Sequence, residues 1–445
     1  VEIISIIGLL LGIAVLVVGA YKGLGALPLT LIASLVVMLT NGMHIWDGFA
    51  LSYMTGYAGT YIDFFLMFCA ASLYANLVEK SGTATAIGYK FIDWFGKKRI
   101  LLVTTLLIAV LTYGGVNLFV IIFAVVPIIY LLFKEANLPR HLVIAPALLG
   151  AATFTMTAMP GTPAITNMIP ANHLGTPLTS APIMGIAASV IMFVIGYIYM
   201  VYAEKKVRAA GEGWSYPDGI DPTAYEASRD HGTLPKPIIA FLPLIVLLAT
   251  LIALTLLLPD GTPPVMIGVI GMLLGSAVTL ALNWKRLRGP KKDLITRGLE
   301  GGISAIGGLA AVLAFGAVVS SSMGFALIRD WLLNLNVNPY VQGVLATSLI
   351  SAVTGSSSGG LGIMYGDPYL LQHFINTVPD LQVLHRLTAL AAGTLDTLPH
   401  AGALFLAFSV LRLNHKNSYK HVFWVTVVPG VVAAGIMLAV AVLFL

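Results

Sequence analysis

Hydropathy along the chain alternates between long apolar runs and short polar turns. One helical crossing of a bilayer needs about 20 consecutive apolar residues. Ten runs qualify, over residues 3–20, 26–41, 58–79, 141–157, 181–203, 237–258, 263–283, 302–322, 383–411 and 421–445. Two further apolar segments, 100–133 and 340–375, are too long for one span. Each has a Gly-rich break, Tyr113-Gly114-Gly115-Val116-Asn117 in one and Thr354-Gly355-Ser356-Ser357-Ser358-Gly359-Gly360 in the other. Read as re-entrant hairpins, they carry those turns to mid-membrane, where irregular backbone is tolerated only against protein or a water-filled cavity. The pattern predicts an all-α polytopic membrane protein with about ten full spans plus two hairpins. The first run is long enough to stay in the membrane rather than act as a cleaved leader.

Composition narrows the class. Only 10% of residues are charged, against roughly 25% in a soluble domain, and mean hydropathy is +0.93. A water-soluble enzyme, a nucleic-acid module and a disordered chain are excluded together. The net charge of +5 comes from loops. Residues 285–297 hold Lys285, Arg286, Arg288, Lys291, Lys292 and Arg297 against one acid, Asp293, which marks a cytoplasmic loop. With both hairpins returning to their starting side, Lys22, Lys97, Lys98, Arg99, Lys134, Arg140, Lys205, Lys206, Arg208, Arg412, Lys416 and Lys420 also fall inside, while Arg329 and Arg386 fall outside. This places the chain in the cell (inner) membrane with both termini extracytoplasmic.

The halves share landmarks at an offset near 240 residues. Ser81-Gly82 and Asp93-Trp94 match Met323-Gly324 and Asp330-Trp331, and the break at Gly114-Gly115 matches Gly355. Thr155-x-Thr157-x-Met-Pro160-Gly-Thr-Pro163 aligns with Thr394-x-Asp396-Thr-Leu-Pro399. Five crossings per unit make the second copy upside down, the mark of a secondary transporter with its site at the repeat interface. The expected division is an N-terminal repeat over 1–203 (hairpin 100–133, broken helix 141–171), a cytoplasmic linker over 204–236, and a C-terminal repeat over 237–445 (hairpin 340–375, broken helix 383–411).

The breaks concentrate the unusual chemistry. Pro160, Pro163 and Pro399 each remove an amide donor and unwind the helix. Unwinding exposes half-helix N-termini whose free amides favour an anion. A carboxylate site built of backbone and hydroxyls follows, needing no intramembrane Lys or Arg. Its candidates are Gly114, Gly115, Asn117, Thr157, Gly161, Thr162, Gly355, Ser356, Ser357, Ser358 and Thr397. Ionisable groups within the membrane are functional suspects. Asp396 and His400 are neighbours if their turn stays helical, and such a pair can exchange a proton near neutral pH. Asp367 and Asp63 are further acidic candidates. A lone cysteine, Cys69, excludes disulfides and a Cys-based metal site. No phosphate loop and no His cluster occurs, so neither an enzyme, a metal site nor a resident cofactor is expected. Sodium coupling through carbonyls and hydroxyls, or a channel with Gly-rich tips as its filter, remain the competing readings.

The runs Met159-Pro-Gly-Thr-Pro-Ala-Ile-Thr-Asn-Met-Ile-Pro170, Gly393-Thr-Leu-Asp-Thr-Leu-Pro-His-Ala-Gly-Ala403 and Ser418-Tyr-Lys-His-Val-Phe-Trp-Val-Thr-Val resemble the gluconate permease (GntP) family of the ion transporter superfamily. That resemblance implies proton-coupled uptake of a small hydroxy-carboxylate such as gluconate or 3-hydroxybutyrate. It also implies paired hairpins and broken helices around substrate, and a homodimer. The Ser-rich second tip departs from gluconate-type members and points to a smaller acid.

Overall fold

The computed structural model describes residues 2–113, 118–162, 164–216, 234–258, 262, 264–287 and 289–444. Among these the fold is entirely helical. Eight helical stretches are long and apolar enough to cross a membrane: Glu2–Tyr21, Ile45–Lys80, Arg140–Ala158, Pro182–Ala209, Pro237–Leu254, Val265–Leu282, Lys291–Ser320 and His415–Phe444. Proline opens several helices, at Pro182, Pro237, Pro339 and Pro368, where its missing N–H costs nothing.

One expected span differs. The run 26–41 forms only the 15-residue helix Ala26–Thr40, short of a full crossing. The segment 383–411, expected as a broken helix, is two helices, Leu381–Ala392 and Gly402–Val410, separated by the irregular residues 393–401. Two boundaries also move. The third stretch starts at Ile45 and passes a π-turn at Gly48–Tyr53, and the helix Pro182–Ala209 continues into the expected linker.

At the centre, Lys291–Ser320 lies along Met54–Lys80. Gly301 and Gly302 permit the contact: a Cβ on Gly302 would stand 2.5 Å from the Cys69 amide nitrogen, and one on Gly301 would stand 2.3 Å from Ser72 Oγ. Small residues let helix backbones approach where lipid offers no hydrophobic drive.

The segments read as hairpins are pairs of helices packed on each other, Ile100–Tyr113 with Leu118–Glu135 and Pro339–Thr354 with Ser357–Gly366. The 10-residue helix Ser357–Gly366 rises about 15 Å, half the hydrocarbon thickness. Its turn is set by sequence. Gly355 takes φ +61° as the left-handed C-cap, and Ser356 Oγ accepts from the Gly359 amide at 3.0 Å as N-cap. The turn Gly114–Asn117 lies outside the described residues.

Candidate functional site

The first broken segment runs as helix Ile144–Ala151, a π-turn Phe154–Ala158 and helix Ile165–Leu174. Gly161, at φ +81°, turns the chain between them. Three threonines turn back on this segment: Thr153 Oγ1 donates to Leu149 O, Thr155 Oγ1 to Gly150 O and Thr157 Oγ1 to Thr153 O. The first two bonds satisfy carbonyls at the end of helix Ile144–Ala151, and the third adds a donor to Thr153 O, which also accepts from the Met156 and Thr157 amides. In the second break, the ring N–H of His400 donates to Ala352 O at 2.7 Å and that of His415 to Pro399 O at 2.9 Å. Histidines thus support the second break where threonines support the first.

A cavity of about 350 Å³ opens where these pieces meet. Three helices begin at its wall, Ile165–Leu174 at Ala164 to Thr166, Ser357–Gly366 at Ser356 to Gly359, and Gly402–Val410 at Gly402 to Leu404, and Leu118 of Leu118–Glu135 also lines it. Each N-terminus carries roughly half a positive charge and free amides. The helices starting at Ile165 and Gly402 have no side-chain cap, which leaves their amides unclaimed by their own N-cap side chains. Asp396 and Asp63 are the carboxylates on the wall. Asp396 is buried, has Ser357 beside its carboxyl, and keeps Oδ1 without a partner among the described residues.

Of the expected ligand-binding residues, Gly355, Ser356, Ser357, Ser358 and Thr397 line this cavity. Thr157 is buried against Gly393, Gly161 sits beside the Tyr113 hydroxyl, and Thr162 is buried with its hydroxyl unpartnered; none is on the cavity wall. Gly114, Gly115 and Asn117 lie outside the described residues. Hydroxyl protons decide more. Thr426 Oγ1 donates to Val422 O, so the 2.6 Å contact between Thr397 and Thr426 must use the Thr397 proton. Thr157 has spent its proton on Thr153 O. Ser357 lines the cavity with its hydroxyl beside the Asp396 carboxyl.

Asp396 and His400 do not form the expected pair. The intervening residues are not helical, so the four-residue spacing does not bring the side chains together, and His400 Nδ1 is buried without a partner. Asp367 is placed at the far end of Ser357–Gly366 from the cavity. It caps helix Pro368–Thr377 through the Tyr369 and Leu370 amides and meets Arg329 at 3.4 Å.

Sequence reasoning missed the contacts that join the broken segments. Asn167 is fully buried; its amide donates to Thr162 O and Leu178 O, both at 2.9 Å, and its oxygen accepts from His385 Nε2 at 2.8 Å. His385 Nδ1 therefore accepts from the Thr176 hydroxyl at 2.7 Å. Arg386 is fully buried, and its guanidinium donates to Leu178 O and Ser180 O. The helix before the second break thereby holds the chain that follows the first. An Asn inside the motif 159–170 was the one available signal.

The family model described as "CitMHS: Citrate transporter" matches residues 6–287. "Uncharacterized transporter YxjC" of Bacillus subtilis (strain 168) is 31% identical over 454 residues, 95% of this chain and 96% of that protein. "Uncharacterized permease" of Haemophilus influenzae is 23% identical over 456 residues, 97% of this chain and 90% of that protein. The crystal structure of the Alcanivorax borkumensis YdaH transporter aligns over 98% of both chains with a TM-score of 0.47 and 14% identity. Of the motif resemblance, the coarser assignment stands: a carboxylate-transporter family of the ion transporter superfamily, with citrate transporter in place of gluconate permease as the family matched. The chain belongs to the citrate transporter family and is a multi-pass membrane secondary transporter, not an enzyme.

Proposed function

We propose that the protein imports a small hydroxy-carboxylate, of the size of gluconate or 3-hydroxybutyrate, in symport with protons. One observation carries the reading: three helix N-termini converge on a cavity that also holds the buried Asp396. Helix termini attract the substrate carboxylate through backbone amides, and Ser357 adds a hydroxyl donor. Asp396, facing the same space, opposes a bound anion when ionised and ceases to when protonated. Proton and substrate then favour each other's binding, as linkage requires. His400, its Nδ1 free behind the second break, is the second protonation site of the proposal. In this reading the halves are inverted repeats with re-entrant hairpins, both termini are extracytoplasmic, and two copies form a homodimer.

Sodium coupling is the competing reading, supported by the same hydroxyls and break carbonyls. Proteoliposome uptake of labelled gluconate and 3-hydroxybutyrate separates the two. Accumulation under an inward pH gradient at zero sodium supports proton symport. Accumulation that follows only an inward sodium gradient replaces it, and uptake of neither acid removes the substrate class.

A further inference from the structure

We propose that a second groove, separate from the transport cavity, binds an anionic phospholipid of the surrounding bilayer. It lies between Pro182–Ala209 and His415–Phe444, has a volume of about 660 Å³, and shares no lining residue with the transport cavity. Lys206 and Lys420 stand at one end of it. Tyr199 and Trp424 are stacked along it at 5.8 Å and 14°. From Lys206 to Ile195 the wall descends 11 residues, about 16 Å along a helix axis, the reach of a headgroup and the first part of an acyl chain.

The charges match one phosphodiester. Neither lysine has an ion-pair partner among the described residues. The groove's acid, Glu212, is already engaged: it accepts from His141 Nε2 at 2.8 Å. With both imidazole rings neutral, His141 Nδ1 accepts from His421 Nε2 at 2.9 Å and His421 Nδ1 accepts from the Tyr199 hydroxyl at 2.9 Å. Lys206, Lys420 and Glu212 then leave one positive charge. A phosphodiester carries one negative charge.

The walls choose lipid over a soluble anion. Ile198, Tyr202 and Trp424 are exposed, so the groove continues into the bilayer-facing surface. Tyr and Trp at a helix end beside lysines are the residues of the membrane–water boundary, and basic pockets between membrane helices hold anionic headgroups.

The test uses the purified full chain in neutral detergent, titrated with brominated phosphatidylglycerol or brominated phosphatidylcholine. Quenching at Trp424 is taken as the difference from Trp424→Phe. Saturable quenching by the glycerol lipid, absent with the choline lipid at equal concentration, supports the site. At about a fivefold effect per lysine, Lys206→Gln with Lys420→Gln weakens it roughly thirtyfold, and Arg at both positions restores it. If the double variant fails to elute as a single species, the single variants carry the test at about fivefold each. Equal quenching by both lipids, or unchanged affinity in the Gln variants, overturns the proposal. So does displacement by millimolar inorganic phosphate, which identifies a soluble-anion site.

Discussion

Replacing Asp396 by Asn tests the proposal that its charge couples substrate to proton. A sphere of the cavity's ≈ 350 Å³ has a radius of about 4.4 Å, so a carboxylate bound there lies roughly 5 Å from Asp396, where two unit charges repel by about 3 kcal/mol at an effective dielectric of ~20. That is roughly 150-fold in affinity. The sign follows directly. Affinity is highest at low pH, where Asp396 is protonated, and falls as pH rises through its titration, by at most about tenfold per unit for one proton. Asn mimics the protonated form, so the variant binds with the low-pH affinity at every pH. The assay is calorimetric binding of gluconate and 3-hydroxybutyrate between pH 5.5 and 8.5; each has a single carboxylate that stays ionised over the range and adds no titration of its own. In proteoliposomes Asp396→Asn keeps exchange but loses accumulation driven by a pH gradient. A variant that retains the wild-type pH slope refutes the reasoning, and Asp63, on the same cavity wall, then becomes the coupling carboxylate.

Four further outcomes are expected. Ser357→Ala weakens monocarboxylate binding about ten- to a hundredfold, whereas Thr157→Ala, whose hydroxyl serves Thr153 O, lowers the melting temperature with binding kept; both are read by thermal shift with and without ligand. Gly355→Ala forces a side chain into φ +61° with Cβ 3.1 Å from Ala401 Cα, costing about 1–3 kcal/mol in reversible SDS unfolding. Asp367→Asn keeps the cap on Tyr369 and Leu370 and gives up only the Arg329 partner, so its uptake–pH profile superimposes on wild type.

What the chain reveals in advance depends on the kind of physics involved. Gly355, Pro160 and Pro399 announce the breaks because their backbone constraints are local. Ser356 to Ser358 announce a polar tip because no other reason puts three hydroxyls inside an apolar run. Ala26–Thr40 ends within a residue of its apolar run, and what separates it from a full span is its length of 15 residues against the roughly 20 that a crossing needs. Asp396 with His400 was misjudged: a four-residue spacing implies contact only on a continuous helix, and the break itself removes it. Asn167, His385 and Arg386 left almost no trace. Their bonds cross about 210 to 220 residues of chain, and nothing in a single sequence pairs such positions.

Those same bonds bear on the fidelity of the carrier. A cycle that moves one broken segment without the other must part Asn167 from His385, Thr176 from His385, and Arg386 from Leu178 and Ser180. At about 1 kcal/mol for each of four partners, the separated state is populated near one part in a thousand. On the proposed proton symport, slippage, in which protons cross without substrate, is then held to the same small fraction of turnovers. Asn167→Ala removes one strut and leaves His385 Nε2–H unpaired, so the substrate-free proton leak of proteoliposomes rises about five- to tenfold while the coupled rate changes less. A leak indistinguishable from wild type would mean that the two segments are free to move apart without consequence.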